Sequence, residues 1–276
     1  MDILPLLDLV FVVLFFVVIL AAKWLYNLTV PYNTFNEIID NKNVALSVSI
    51  VGFFTASSII YVAVLFGPSV DLVTDLINVV LYTALGMALL LLSRFINNKV
   101  LLHSFCNHDH IAEKQSLSVG LVQAACYITS GLIIGGSLMG DGDLLSALVF
   151  YGLGQVSLIL FAKVYDWLTT FDLLVELEKN NVAAAISFSA TIIAIGIILL
   201  HALTGEFISW QTSLTIFALD AAIALVTLPI IRVLVDKALM PSVNIDDAIQ
   251  ITQNTAIALL EGAVAISIAL VILCAL

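Results

Sequence analysis

The chain has 276 residues, of which 62% are hydrophobic and only 11% charged, and its formal net charge is −11. Soluble domains carry about a quarter charged residues, so a water-soluble globule is excluded and membrane lipids are the expected surroundings. The thinly spread acidic balance speaks against a nucleic-acid partner.

A spanning helix needs about 20 mostly apolar residues. That pattern predicts spans over 6–30, 44–66, 72–95, 115–139, 144–168, 181–204, 212–234 and 248–275. The opening Met1-Asp2-Ile3-Leu4-Pro5 lacks the basic segment of a cleaved signal peptide, so the first span is expected to be retained. Pro31-Tyr32-Asn33, Gly67-Pro68-Ser69, Gly140-Asp141-Gly142-Asp143 and Thr204-Gly205-Glu206 supply breaks between spans. The polar stretches 34–43 and 170–180 predict short helices lying along the interface. An all-α integral membrane fold of eight transmembrane helices follows, because a helix satisfies its own backbone hydrogen bonds in lipid. Three scattered cysteines, Cys106, Cys126 and Cys274, outline no disulfide framework.

The basic residues Lys23, Lys42, Arg94, Lys99, Lys114, Lys163, Lys179, Arg232 and Lys237 all lie at or beside the connections after the first, third, fifth and seventh spans. The positive-inside rule assigns those connections to the cytoplasm and both termini to the periplasm or exterior.

The chain also matches itself at a shift of 138 residues. Asn43-Val44-Ala45 falls on Asn181-Val182-Ala183, Ser49 on Ser187, Gly67 on Gly205, Arg94 on Arg232, Lys99 on Lys237, Asp109 on Asp247 and Gln115 on Gln253. Two four-helix repeats, 1–140 and 141–276, are therefore expected. With four spans each they cross the membrane in the same direction, as parallel repeats related by a pseudo-two-fold axis along the membrane normal. The boundary between them is the natural place for a pore, a ligand or a partner helix.

Several of these residues carry a resemblance. The Asn-Val-Ala opening of the second span of each unit, Asp109-His110-Ile111 with Ser116-Leu117-Ser118 and Gly120-Leu121-Val122, and Asp246-Asp247 with Gln253-Asn254 and Leu260-Glu261-Gly262 resemble the YjfL-like bacterial inner-membrane family, a domain of unknown function. The resemblance implies four-helix units, single or in tandem, and a multi-pass protein of the bacterial inner membrane. It implies no activity.

Ionisable groups within a span are costly and so are candidates for function. Glu261 is expected near the middle of the eighth span, where a central acidic group such as Asp costs on the order of 2.5–3.5 kcal/mol. Its repeat counterpart is Gln123, which keeps the shape and loses the charge. Glu261 is read either as a proton- or cation-binding carboxylate or as a protonated group tying helices together. Asp220, whose counterpart is Tyr82, is expected to lie shallower than Glu261, either relaying with it or reaching the interface; Asp8 is expected at the interface. Asn43 and Asn181 are read first as helix N-caps and otherwise as a polar ring at a pore mouth, with Ser49 and Ser187 two turns deeper. Arg94 and Arg232 are read as snorkelling cations, or as counter-charges for Asp109 and Asp247. Gln155, and Gly131 with Gly135, are read as packing residues. The loop His103–His110, with Cys106 and His108, gathers metal-type ligands in no trusted spacing, and the second repeat lacks them. No metal, cofactor or enzymatic chemistry is expected.

Three functions remain open. The first is a proton or cation channel or transporter with Glu261, Gln123, Asp220, Asn43, Asn181, Ser49 and Ser187 along its path, assembled as a homo-oligomer. The second is a non-catalytic partner in the envelope stress response that binds a peripheral cytoplasmic protein. The third is a binder of a lipid or quinone between the repeats.

Overall fold

The computed structural model describes residues 4–102, 109–139, 142–205, 207–234, 237, 241 and 243–275, without the side chains of 4–8, 109, 228 and 231–234. The spanning helices are α1 (Leu4–Leu28), α3 (Val44–Leu65), α4 (Leu72–Val100), α5 (Leu117–Met139), α6 (Leu144–Leu168), α8 (Val182–Leu203), α9 (Trp210–Leu234) and α11 (Thr255–Ala275). Among the described residues, eight helices are thus long and apolar enough to cross a membrane. Short helices α2 (Thr34–Asn41), α7 (Leu173–Glu178) and α10 (Ile245–Gln250) lie in the connections, and Asp109–Glu113 forms one wide π-type turn. The predicted interface helices are α2 and α7.

The centre is a row of four helices in the order α3, α5, α8, α11, flanked by α1 and α4 on one side of the row's middle and α6 and α9 on the other. The pairs α3–α5 and α8–α11 are the same pair in successive repeats, and α5 against α8 joins them. Leu20, Phe16, Val80, Leu81, Leu219 and Val271 stay exposed on the flanks, a surface suited to acyl chains. With no hydrophobic drive between helices in lipid, close approach through small residues supplies the packing. A Cβ on Gly120 would stand 2.5 Å from the Ala45 carbonyl oxygen, one on Gly131 2.8 Å from the Ala56 Cα, and one on Gly135 3.1 Å from the Ala63 Cβ. The Gly131/Gly135 pair thus does pack, against α3. The contact has a reciprocal form: Gly52 of α3 lies against Ala124 of α5, while their counterparts Ala190 and Gly262 meet with the glycine on the other helix.

The repeat is visible in the backbone. Asn43 accepts from Leu46 N–H at 2.9 Å and donates to the Ile111 carbonyl at 2.8 Å; Asn181 accepts from Ala184 N–H at 3.1 Å and donates to the Ile249 carbonyl at 3.0 Å. Each therefore caps its helix and clasps it to the turn before the unit's last span. Lys42 and Asn180 (φ 52° and 60°), and Gln115 and Gln253 (φ 48° each), are left-handed at matching positions. Such residues cost roughly 1–2 kcal/mol each, so their recurrence marks a shared local geometry.

Two boundaries differ from expectation. The last span begins at Thr255 rather than 248, because Asn244 caps a separate α10 and the left-handed Gln253 breaks the chain after it. The third continues to Val100, which draws Arg94 well inside the helix.

Glu176 of α7 is buried beside the second clasp, accepting from Asn181 Nδ2 at 2.8 Å and from Lys179 Nζ at 2.8 Å. Burial alone would raise its pKa, but these donors outweigh it and hold the carboxyl below its usual range. A carboxylate with a lowered folded pKa stabilises above its unfolded pKa of about 4.3 and ceases to as pH falls through the folded value. The melting temperature in detergent is therefore expected to drop as pH is lowered from about 5 to about 3, and Glu176→Gln should flatten that decline.

Candidate functional site

Each unit carries one buried polar triad between its first, second and last spans. In the first, the Tyr26 hydroxyl lies 2.8 Å from Ser49 Oγ, and Ser49 donates to Gln123 Oε1. A serine has one proton, so Tyr26 donates to Ser49. In the second, the Tyr165 hydroxyl lies 2.8 Å from Ser187 Oγ, which donates to Glu261 Oε2 at 2.6 Å. All six side chains are buried. The units thus share one chain of hydroxyls ending on an amide in one and a carboxyl in the other.

The geometry revises the depth of the acids. Glu261 is the seventh residue of α11, about 9 Å from its start by helical rise, not at the centre. Asp220 is the eleventh residue of α9, so it is the deeper of the two. It is half-exposed, and no hydrogen bond joins it to a described residue. Of the residues proposed for one path, Ser49 joins Gln123 and Ser187 joins Glu261, in separate sets; Asn43 and Asn181 act as caps, and Asp220 stands apart. Where α5 meets α8 the boundary between the units is closed. Thr129 of α5 donates to the Ile192 carbonyl of α8 at 3.0 Å, and a Cβ on Gly136 would meet Leu203 at 2.9 Å.

Arg94 does not snorkel. It is 5% exposed, its guanidinium 4.5 Å from the Tyr26 ring centroid and 5.7 Å from that of Tyr127. The longer α4 places it there, and aromatic faces attract a cation. The side chains of Arg232, Asp8 and Asp109, and residues 103–108 with His103, Cys106 and His108, lie outside the described residues. Among those described, no group of three His, Cys, Asp or Glu could hold a metal ion.

A second polar chain joins the units. Ser93 and Asn97 of α4 face Tyr151 and Gln155 of α6: Ser93 donates to Gln155 Oε1 at 2.9 Å and lies 3.0 Å from the Tyr151 hydroxyl, Gln155 Nε2 donates to Asn97 at 2.9 Å, and Asn97 donates to Ser130 at 3.1 Å. Gln155 is thus a bonded junction, not a packing residue. Gln155→Leu strands Ser93 and Asn97 in lipid-shielded space, and is expected to cost about 1–2 kcal/mol in thermal or denaturant unfolding in detergent.

At the far end, a cavity of about 600 Å³ opens between Val64, Asp75, Asn78 and Tyr82 of the first unit and Leu144 and Ala147 of the second. A smaller one of about 130 Å³ occupies the corresponding place in the second unit. Asp75 clasps the turn beside the first through Val70 N–H at 3.0 Å; its counterpart Ser213 does the same through Ile208 N–H at 3.3 Å.

The repeated geometry has its parallel among known proteins. A family model described as Domain of Unknown Function (DUF350) matches twice, over residues 3–138 and 141–276. The chain belongs to this family. The two matches meet at the junction between α5 and α6, so each family unit carries one Tyr–Ser–Gln/Glu triad and one asparagine clasp. A similar protein is the UPF0719 transmembrane protein of Aquifex aeolicus (strain VF5), 26% identical over 175 residues, covering 62% of this chain and 63% of the relative. The match thus spans a little under two thirds of that relative's length. No solved structure matches the chain.

Sequence reasoning missed the tyrosines of both triads. Tyr26 and Tyr165 are 139 residues apart rather than 138, because the stretch from tyrosine to serine is one residue shorter in the second unit. Allowing one gap in the self-comparison finds them.

Proposed function

We propose that this DUF350 protein is a proton-conducting or proton-coupled membrane protein whose titrating group is Glu261. What supports the reading is a single arrangement: a buried carboxyl in a spanning helix, at the end of a chain of two hydroxyls, matched in the other unit by a neutral amide. An ionised Glu261 accepts from Ser187, which in turn accepts from Tyr165. A proton passes along the row when Glu261 takes the Ser187 proton, Ser187 takes that of Tyr165 and the Tyr165 hydroxyl is re-protonated from beyond the row. The protonated carboxyl then donates, and rotation of the two hydroxyls restores the starting order once that carboxyl is deprotonated. On this reading the basic connections face the cytoplasm of a bacterial cell, which puts both triads near the cytoplasmic surface and the larger cavity on the opposite side. The test is proton uptake into proteoliposomes driven by an imposed pH gradient or potential. Uptake above that of protein-free vesicles is expected, and its absence under both driving forces overturns the reading.

The 600 Å³ cavity favours a second reading, an amphipathic ligand such as a lipid or quinone held between the units, since it has the size of a small-molecule site and a mainly apolar lining with Ser69, Asp75, Asn78, Tyr82 and Asp143 among it. Mass spectrometry of protein purified in mild detergent is expected to show one retained lipid or quinone. A protein free of both removes this reading.

A further inference from the structure

The first triad has a neighbour that the proton reading does not use. Arg94 is enclosed, yet among the described residues its Nη1 meets no acceptor in hydrogen-bonding geometry, and neither does the hydroxyl of Tyr127, which is 1% exposed. Both border Tyr26: the guanidinium lies over its ring at 4.5 Å, and the Tyr127 ring meets it edge-on at 6.4 Å between centroids. The oxygens close by are all neutral: Gln123 Oε1 takes the Ser49 proton, Ser49 takes that of Tyr26, and the Tyr26 hydroxyl itself borders both donors. Among the described residues the ion pair joins Lys179 to Glu176, and none of their carboxylates pairs with Arg94. A buried cation without a counter-charge is costly, and the face of an aromatic ring offsets only part of that cost. Two buried donors, one of them charged, call for an acceptor that carries negative charge. A water molecule would satisfy the donors but not the charge.

We propose that the first unit binds one anion between Arg94 and Tyr127. The enclosure suits a compact one: a halide or small oxyanion, or a single phosphate oxygen of a lipid headgroup, which offers the same chemistry. The site belongs to the first unit alone, because the counterpart of Tyr127 is Ala265, which has no hydroxyl. The proposal stands apart from the proton reading, so either can fail without the other.

The test measures melting temperature of the full chain in detergent at constant ionic strength, with sodium gluconate replaced stepwise by chloride, nitrate or phosphate. Parallel samples carry added phosphatidylglycerol or phosphatidylcholine. A ligand that binds only the folded state raises the melting temperature saturably. The parent is expected to show such a rise, Arg94→Gln to lose it, and Tyr127→Phe to need on the order of tenfold more anion, the cost of one hydrogen bond to a charge. A rise with phosphatidylglycerol but with no free anion identifies the acceptor as a lipid phosphate and supports the site. Identical melting in every anion and both lipids overturns it. So does an anion dependence that Tyr127→Phe leaves unchanged, a comparison that stands even if Arg94→Gln fails to fold.

Discussion

Glu261→Gln is expected to yield a folded protein that passes protons on the order of tenfold more slowly than the parent, or not at all. The substitution rebuilds the first unit's triad in the second: with an amide in place of the carboxyl, the row from Tyr165 through Ser187 would copy Tyr26–Ser49–Gln123, an arrangement this fold already holds in the same place. Removing a carboxyl from a membrane span also removes a desolvation cost, so melting in detergent should hold or rise. The pairing of retained stability with lost flux separates a titrating role from a structural one. If Glu261 only ties α11 to α8, the amide ties them equally well and flux is unchanged. Ser187→Ala adds a second measure, because it cuts the row while leaving the carboxyl. Flux should fall there too, and Gln123→Glu in the first unit should not restore it, since that carboxyl belongs to the other row.

Gly120→Val is expected to be among the most damaging single substitutions to stability. The added Cβ would lie 2.5 Å from the Ala45 carbonyl oxygen, 3.0 Å from its carbon and 3.1 Å from its Cα. All three are backbone atoms, so no side chain can rotate away and α3 itself must move off α5. Overpacking of this kind costs typically about 1–3 kcal/mol. Here the displacement also pulls on the Asn43 clasp to Ile111, so a loss at or above the upper end is expected in unfolding measurements in detergent. Gly152→Val is the control. A Cβ there meets nothing within 4 Å, and the change should be close to neutral.

Much of the architecture was legible in the sequence, for physical reasons. Lipid demands runs of apolar residues, and those runs, with Gly and Pro between them, marked eight spans of which only the third and the last moved by more than a few residues. The duplication was legible because Asn43 and Asn181 do the same work in each unit, capping and clasping at once. The site was read only in part. Glu261, Gln123, Ser49 and Ser187 stood out as polar groups in apolar helices, and the structure joins them in pairs. Their tyrosine partners escaped because Tyr is ordinary at the end of a membrane helix and because one residue of connection shifted the register. Arg94 was misjudged since a cation near a helix end normally reaches for water, whereas the longer α4 and two aromatic rings enclose it. The link of Ser93 and Asn97 to Tyr151 and Gln155 is written as an i, i+4 spacing on each helix, but nothing in one chain says that those two faces oppose.

The reciprocal glycines have a consequence for how the two halves find their own helices. Because the units share a fold, α5 could in principle take the place of α11 on α8, and α11 that of α5 on α3, exchanging last helices as in a domain swap. The exchanged pairings would set Ala124 against Ala190, where two methyl groups compete for the space of one, and Gly52 against Gly262, where neither fills it. The native pairings place one methyl at each crossing. The position of a single carbon atom thus works as a key cut differently for each lock, keeping two copies of one design from assembling as each other.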